Sequence, residues 1–106
     1  MCIRDRDVYE MIMNLYDKQP EAGIYNVGTG TAQTFEALGE ACFKALNTPV
    51  NIEYFDIPAD LKDKYQNFTE ADMNKWKTAD LTLPVTSLEH GIQDYIQQYL
   101  LPGKIY

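Results

Sequence analysis

The segment from Lys62 to Thr69 groups the side chains best suited to binding an anionic, sugar-bearing ligand. It reads Lys-Asp-Lys-Tyr-Gln-Asn-Phe-Thr, which puts two cations, a phenol and two amides into a chain of net charge −7. An ammonium group can neutralise a phosphate, a phenol can stack or hydrogen-bond, and side-chain amides can recognise hydroxyl groups. The residue types alone leave two interpretations open, a ligand-binding loop and an ordinary polar loop.

The turn Gly28-Thr29-Gly30-Thr31 is a second candidate site, because it follows a predicted strand and precedes a predicted helix. Backbone amides at such a position can hold the pyrophosphate of a dinucleotide. Gln33 stands where that fingerprint needs a small residue, and no acidic residue follows a strand about 20 positions later. The sequence therefore favours a tight turn between strand and helix, and we predict no cofactor-binding residue in this chain.

Groups that could perform catalysis lack the necessary spacing. The single histidine, His90, lies between Ser87 and Asp94, but those two residues are two helical turns apart and cannot complete a triad. Cys2 and Cys42 lack the spacing of zinc or redox motifs. We predict no catalytic residue and no metal site. Four carboxylates are predicted to be solvated or to cap helices: Asp60, Asp63, Glu70 and Asp72.

Alternating helix and strand signals position these candidates. Such alternation is typical of an α/β arrangement with a parallel strand pair. Two or three short strands cannot form a covered sheet, so we expect neighbouring strands from outside this chain. The predicted elements are a helix at 7–18, a strand at 24–27, a helix capped by Thr34, a strand at 50–55, an extended piece at 65–69, a helix from Glu70 to Lys77 capped by Thr69, and a long helix opened by a capping box of Thr86 and Glu89. The predicted inner face of the second helix is Phe35, Leu38, Cys42, Ala45 and Leu46.

The first six residues, Met-Cys-Ile-Arg-Asp-Arg, show neither helical nor alternating periodicity and run directly into an amphipathic segment at Asp7. They match a translation of the transposase mosaic end used in sequencing-library preparation, ATG TGT ATA AGA GAC AG, whose unfinished last codon can encode Arg. We therefore predict that residues 1–6 derive from an adapter. The alternative is a native start with a short basic arm.

Composition argues against several classes of protein. The 106 residues are 45% hydrophobic and 24% charged, which is ordinary for a globular domain. A net charge of −7 disfavours a nucleic-acid partner, because acidic protein surface repels phosphates. Apolar runs are far shorter than the roughly 20 residues that span a bilayer, and no secretory leader opens the chain. We predict no membrane association and a cytoplasmic location.

Two segments resemble a known family. Gly23–Gly30, Gly-Ile-Tyr-Asn-Val-Gly-Thr-Gly, is similar to the strand and turn in the carboxy-terminal part of extended short-chain dehydrogenase/reductases. Asp60–Asp72, Asp-Leu-Lys-Asp-Lys-Tyr-Gln-Asn-Phe-Thr-Glu-Ala-Asp, resembles the signature of ADP-glyceromanno-heptose 6-epimerases. Related sugar-nucleotide epimerases tend to carry an Arg-Pro-Gly-Asp type of segment there. The resemblance runs from about Asp7 to Leu100.

The resemblance implies an α/β carboxy-terminal substrate-binding part over 7–101 and a tail at 102–106, with the Rossmann core missing. In the family, NADP oxidises the C6 hydroxyl of an ADP-heptose used for lipopolysaccharide core and returns hydride to the opposite face. The family's glycine-rich motif and Tyr-x-x-x-Lys pair have no counterpart here, so we predict that the chain alone is inactive.

The resemblance also assigns residues and partners. Tyr65 matches a family position that contacts substrate. Lys64 stands where relatives can carry Arg, and a lysine cannot make the bidentate hydrogen bonds that an arginine makes to a phosphate. The implied partners are an ADP-heptose type of sugar nucleotide, the missing N-terminal Rossmann lobe and further copies of the parent in a homo-oligomer. The alternatives are a part of another nucleotide-sugar epimerase or dehydratase, and a small binding module without catalytic activity.

Overall fold

The computed structural model describes residues 4–84 and 86–104, and the regular elements in this part of the chain are helices. No strand forms among the described residues, so only the helical half of the predicted α/β pattern is present. Within the same ranges, no helix combines the length and apolarity needed to cross a bilayer. The helices are α1 (Asp5–Lys18), α2 (Phe35–Ala45), α3 (Ala59–Lys62), α4 (Asn74–Thr78) and α5 (Leu88–Tyr95), which continues as a π-helix over Ile96–Leu100.

The chain divides into two compact units, which are described separately. Unit 1 comprises the described residues up to Ala32 together with Glu70–Ser87. It contains α1, the glycine turn and α4. Unit 2 comprises Gln33–Thr69 and the described residues from Leu88 onward. It contains α2, α3, α5 and the loop that carries Tyr65.

The helix α1 forms as its apolar periodicity predicts but begins two residues earlier, at Asp5. Asp7 is buried in its first turn, where a negative charge complements the helix dipole. The Thr86 hydroxyl donates to Asp7 Oδ1 at 2.9 Å, and Arg4 Nη1 lies 3.9 Å from the same oxygen. The predicted capping box at Thr86 is therefore wrong: this hydroxyl is engaged by α1, and α5 begins two residues later, at Leu88.

Trp76 of α4 lies at the centre of the unit 1 core with 0% of its surface exposed. Its ring meets that of Tyr25 in a T-shaped arrangement, with centroids 6.0 Å apart and an interplanar angle of 83°. Its Nε1 donates to the Asn26 carbonyl at 2.6 Å. The same cluster includes the buried side chains of Met11, Met73 and Leu81 and the partly buried ones of Leu15, Val27, Ala71, Ala79 and Leu83.

The predicted strand at 24–27 is not formed, although the segment packs on this core. The Ile24 carbonyl accepts from Lys75 Nζ at 2.7 Å, and the Asn26 carbonyl accepts from Trp76. Because residues two apart share an edge of an extended segment, side chains of α4 occupy one edge. Among the described residues, no backbone group pairs with the backbone of Tyr25 or Val27 on the other edge. The prediction fails because a strand needs a neighbour that this chain does not provide.

The predicted strand at 50–55 is also wrong, for the same reason. Phe55 is 87% exposed, and no strand lies beside this segment within the described ranges. Ile52 packs against α2 at Gly39, where an added Cβ would lie 3.4 Å from its Cδ1. An isolated extended segment leaves its backbone to water, so a side-chain anchor alone does not make it a strand.

The helices α2 and α5 pack together in unit 2. α2 begins at its predicted cap, because Thr34 Oγ1 accepts from the Ala37 amide at 3.0 Å. Its buried residues are Ala41 and Ala45. The predicted inner face is therefore confirmed at Ala45 and in part at Leu38 and Cys42, which are half-buried, and it is wrong at Phe35 and Leu46, which are 70% and 43% exposed. Small alanine side chains permit closer helix packing than a face of larger side chains would.

Candidate functional site

Tyr65 lies on an exposed loop of unit 2, directly after α3. The Lys64 amide donates to the Leu61 carbonyl at 3.0 Å, so the chain leaves the helix through a tight turn. Tyr65 is 48% exposed, and the phenol is accessible to a ligand. The loop is closed at its far end by the Thr69 hydroxyl, which donates to Gln66 Oε1 at 3.0 Å.

Two cations, Lys62 and Lys64, precede Tyr65 in the sequence, and both are exposed. Neither Lys62 nor Lys64 is paired with a carboxylate among the residues that the structure describes. Exposed ammonium groups without a paired carboxylate attract anions, although Asp60 and Asp63 on either side of Lys62 offset part of that attraction. This geometry agrees with the ligand-binding interpretation of the loop, and it leaves the role of Tyr65 in substrate binding as a prediction.

The segment after this loop differs from the prediction. Thr69 does not cap a helix from Glu70, because its hydroxyl is directed to Gln66, and no strand forms over 65–69 within the described residues. α4 begins at Asn74, whose amide donates to Asp72 Oδ1 at 2.9 Å. The stretch between Glu70 and Met73 instead lies against the glycine turn.

The glycine turn has no room for side chains. A Cβ on Gly28 would lie 2.9 Å from the Ala71 Cβ, and one on Gly30 would lie 2.7 Å from the Met73 Cγ. Gly30 also has a φ of +71°, a left-handed conformation that glycine adopts without strain. Packing therefore explains both glycines.

The turn does not fit a dinucleotide diphosphate. The Thr31 amide donates to Thr29 Oγ1 at 3.3 Å, and the Ala32 amide donates to Glu70 Oε2 at 2.9 Å. The Glu70 carboxylate thus takes the Ala32 donor and the Thr29 hydroxyl takes the Thr31 donor, and the carboxylate charge would repel a phosphate here.

Replacing Gly30 with alanine is expected to destabilise unit 1 by about 1–3 kcal/mol, from backbone strain and the contact with Met73. Urea unfolding followed by circular dichroism would measure the loss. Gly103→Ala is the matched control, because Gly103 has a φ of +64° but nothing within 4 Å of an added Cβ. An equal loss in the two variants would show that the approach of Met73 is irrelevant.

Tyr54 and Glu36 form a further polar pair in unit 2. The Tyr54 hydroxyl donates to Glu36 Oε1. The pKa of Tyr54 is raised above its usual 10.0. The main cause is this hydrogen bond, and partial desolvation and the negative charges of Glu36 and Glu40 contribute less. The phenol therefore stays neutral to higher pH in the folded chain.

Glu36→Gln is expected to lower the pKa of Tyr54, which a tyrosinate absorbance titration referenced to Tyr54→Phe would measure. A raised pKa means that the folded state holds the proton more tightly. The resulting stabilisation is present below the unfolded pKa of about 10 and is lost as the pH rises through the folded pKa. An unchanged Tyr54 titration in Glu36→Gln would contradict the assignment.

The remaining candidates lie apart from the Tyr65 loop in sequence. His90 and Asp94 are on α5, one turn apart, and Ser87 precedes that helix. Cys42 is a partly buried free thiol on α2, while Cys2 lies outside the described residues. Among the residues described, no three His, Cys, Asp or Glu side chains cluster as a metal site. Asp60 and Asp63 are exposed on either side of Lys62.

Several bacterial proteins of one name match most of this chain. The chain is 41% identical over 95 residues to a Nitratidesulfovibrio vulgaris protein named ADP-L-glycero-D-manno-heptose-6-epimerase, covering 90% of this chain and 29% of that protein. A protein of the same name from Fusobacterium nucleatum is 36% identical, and the match covers 90% of this chain and 30% of that protein. A third protein of that name, from Alkalilimnicola ehrlichii, is 34% identical, and the match covers 85% of this chain and 28% of that protein.

No family model and no solved structure matches the chain. The chain spans only about 29% of the length of the first of these relatives. The matches nevertheless confirm the resemblance carried by the Asp60–Asp72 segment. Over about 90% of its length, this chain is similar to one part of the ADP-L-glycero-D-manno-heptose-6-epimerases.

Proposed function

We propose that this chain is the carboxy-terminal, substrate-side part of an ADP-L-glycero-D-manno-heptose-6-epimerase. The observation that carries the proposal is the match to relatives of that name at up to 41% identity over 90% of the chain. The exposed Tyr65 loop adds a physical reason, because it presents a phenol directly after two unpaired cations where the sequence resembles that family most specifically.

In this proposal Tyr65 contacts the sugar nucleotide by stacking or hydrogen bonding. Lys62 and Lys64 neutralise the diphosphate. Lys64 acts as a point charge, since an ammonium cannot make the planar two-point contact of an arginine. The side chains of Gln66 and Asn67 are suited to recognising sugar hydroxyls.

The hydride chemistry belongs to the part of the parent that this chain lacks. NADP, held by an N-terminal Rossmann lobe, would supply oxidation and reduction at C6 of the heptose. This chain would bind and orient the sugar, and it would be inactive by itself because orientation cannot replace the cofactor. We further propose that the parent is a cytoplasmic homo-oligomeric isomerase that makes a precursor of lipopolysaccharide core.

The unpaired edge of the Tyr25–Val27 segment supports an α/β parent. Its other edge is filled by Lys75 and Trp76 side chains, so one neighbouring strand could complete the backbone bonding. Ile24 is 86% exposed on this segment, as expected for a surface that another element covers.

A hybrid enzyme tests the proposed function. It consists of the Nitratidesulfovibrio vulgaris protein with its matching segment replaced by residues 7–101 of this chain. We expect it to retain NADP and to epimerise ADP-heptose at a rate within about tenfold of that of the unaltered relative, a difference of about 1.4 kcal/mol in the barrier. A hybrid that fails to fold, or that retains NADP but does not turn over, would contradict the equivalence of the two segments.

A stand-alone sugar-nucleotide module is the second candidate, because Tyr65, Lys62 and Lys64 are exposed without any added lobe. Calorimetric measurement of ADP-heptose binding distinguishes a stand-alone module from the proposed part of an epimerase. The proposed function predicts ADP-heptose binding to the hybrid enzyme and no measurable binding to the isolated chain. Preference of the hybrid for another nucleotide sugar would instead indicate a related epimerase or dehydratase.

A further inference from the structure

The residues that follow the Tyr65 loop are held against the glycine turn within unit 1. The Ala32 amide donates to Glu70 Oε2 at 2.9 Å. Two residues later along the chain, the Asp72 carbonyl accepts from Asn26 Nδ2 at 3.0 Å. These two bonds bracket the place where the loop ends and the chain turns toward α4.

The side chains between these bonds fill the space above the glycines. Ala71 lies where a side chain on Gly28 would be, and Met73 lies where one on Gly30 would be. The stretch from Glu70 to Met73 therefore has one defined position along the turn. The apolar residues Ala71 and Met73 are held by packing on the glycines, whereas Glu70 is held by a hydrogen bond.

Glu70 is the first residue after the loop, and its carboxylate joins that point to the turn by accepting from the Ala32 amide. It is exposed, so the unit 1 core does not need its charge. A bond from a carboxylate to a backbone amide is short and directional, which suits it to fixing a chain position. The Ala32 amide precedes α2, so this bond does not compete with helix formation.

We propose that Glu70 is a positioning residue for the Tyr65 loop, fixing the end of the loop through its bond to the Ala32 amide. The inference rests on the proposed function. A loop whose end is already fixed loses less conformational freedom when it orders around a ligand, so affinity for the sugar nucleotide increases. Glu70 contacts neither substrate nor cofactor in this role.

The test uses three versions of the hybrid enzyme: unaltered, Glu70→Ala and Glu70→Gln. Glu70→Ala should raise the KM for ADP-heptose about three- to tenfold, the effect of one hydrogen bond, with kcat within about twofold. Glu70→Gln keeps an acceptor but removes the charge, and its KM should stay within about twofold of the unaltered hybrid. Deuterium exchange in a peptide covering residues 28–33 should accelerate in the alanine variant alone.

Several outcomes would overturn the inference. They are an unchanged KM in Glu70→Ala despite faster exchange at 28–33, an equal rise of KM in both variants, a loss confined to kcat, and an alanine variant that does not fold. None of these bears on the proposed function, which depends on turnover by the unaltered hybrid.

Discussion

Trp76→Ala is expected to unfold unit 1. The side chain is completely buried, and truncating a buried tryptophan costs about 3–5 kcal/mol. The change would also leave the Asn26 carbonyl without its donor, which now lies 2.6 Å away, and remove the ring that packs on Tyr25. A unit of this size has little stability to lose, because small domains bury a limited share of their surface.

Urea unfolding of the chain at low micromolar concentration, followed by far-ultraviolet circular dichroism, would measure this effect. Trp76→Phe keeps most of the buried surface but loses the hydrogen bond, and should cost about 1–3 kcal/mol. Tyr16→Ala is the surface control, since Tyr16 is 70% exposed, and should change stability by less than about 0.5 kcal/mol. A loss below about 1 kcal/mol in Trp76→Ala would show that the described core is wrong.

Tyr65→Ala in the hybrid enzyme should lower kcat/KM for ADP-heptose by about 10- to 100-fold, the usual effect of removing an aromatic contact at a binding site. Tyr65→Phe separates the two proposed contacts. It should retain stacking and lose only the share of binding that comes from the hydroxyl. Steady-state kinetics with both variants would measure these effects.

Tyr54→Phe is the matched control for the loss of a hydroxyl, because Tyr54 is another exposed phenol of unit 2. Its kcat/KM should stay within about twofold of the value for the unaltered hybrid, a difference of about 0.4 kcal/mol in the barrier. Melting curves of the two Tyr65 variants should superimpose on that of the unaltered hybrid, since neither removes a buried group. Tyr54→Phe loses the hydrogen bond to Glu36 and should melt slightly lower. If Tyr65→Ala turned over at the unaltered rate and KM, the loop would not be part of the substrate site.

Local rules predict α1 and the start of α2, but they miss α3 and place the start of α4 four residues too early. The apolar spacing that predicts α1 and the Thr34 cap of α2 are properties of a few consecutive residues, and both features form. The strands at 24–27 and 50–55 depend on neighbouring strands, and none lies beside them among the described residues, so these β-forming residues make no sheet. The capping box at Thr86 fails because a distant carboxylate, Asp7, engages the hydroxyl.

The candidate site was predictable only in part. The Tyr65 loop stands out by residue type, because cations and a phenol are concentrated in an acidic chain. The bond between Glu70 and the Ala32 amide joins residues 38 positions apart, which periodicity cannot detect. The glycines at 28 and 30 were the available signal, since closely spaced glycines indicate the approach of another chain segment.

We propose that this chain orients a sugar nucleotide but cannot transfer hydride without the lobe that binds NADP. Proton NMR of a single C6 epimer of ADP-heptose, incubated with NADP and either the isolated chain or the hybrid enzyme, tests it most directly. We predict an unchanged spectrum with the chain and a mixture of both epimers with the hybrid. Formation of the second epimer by the isolated chain would contradict the account.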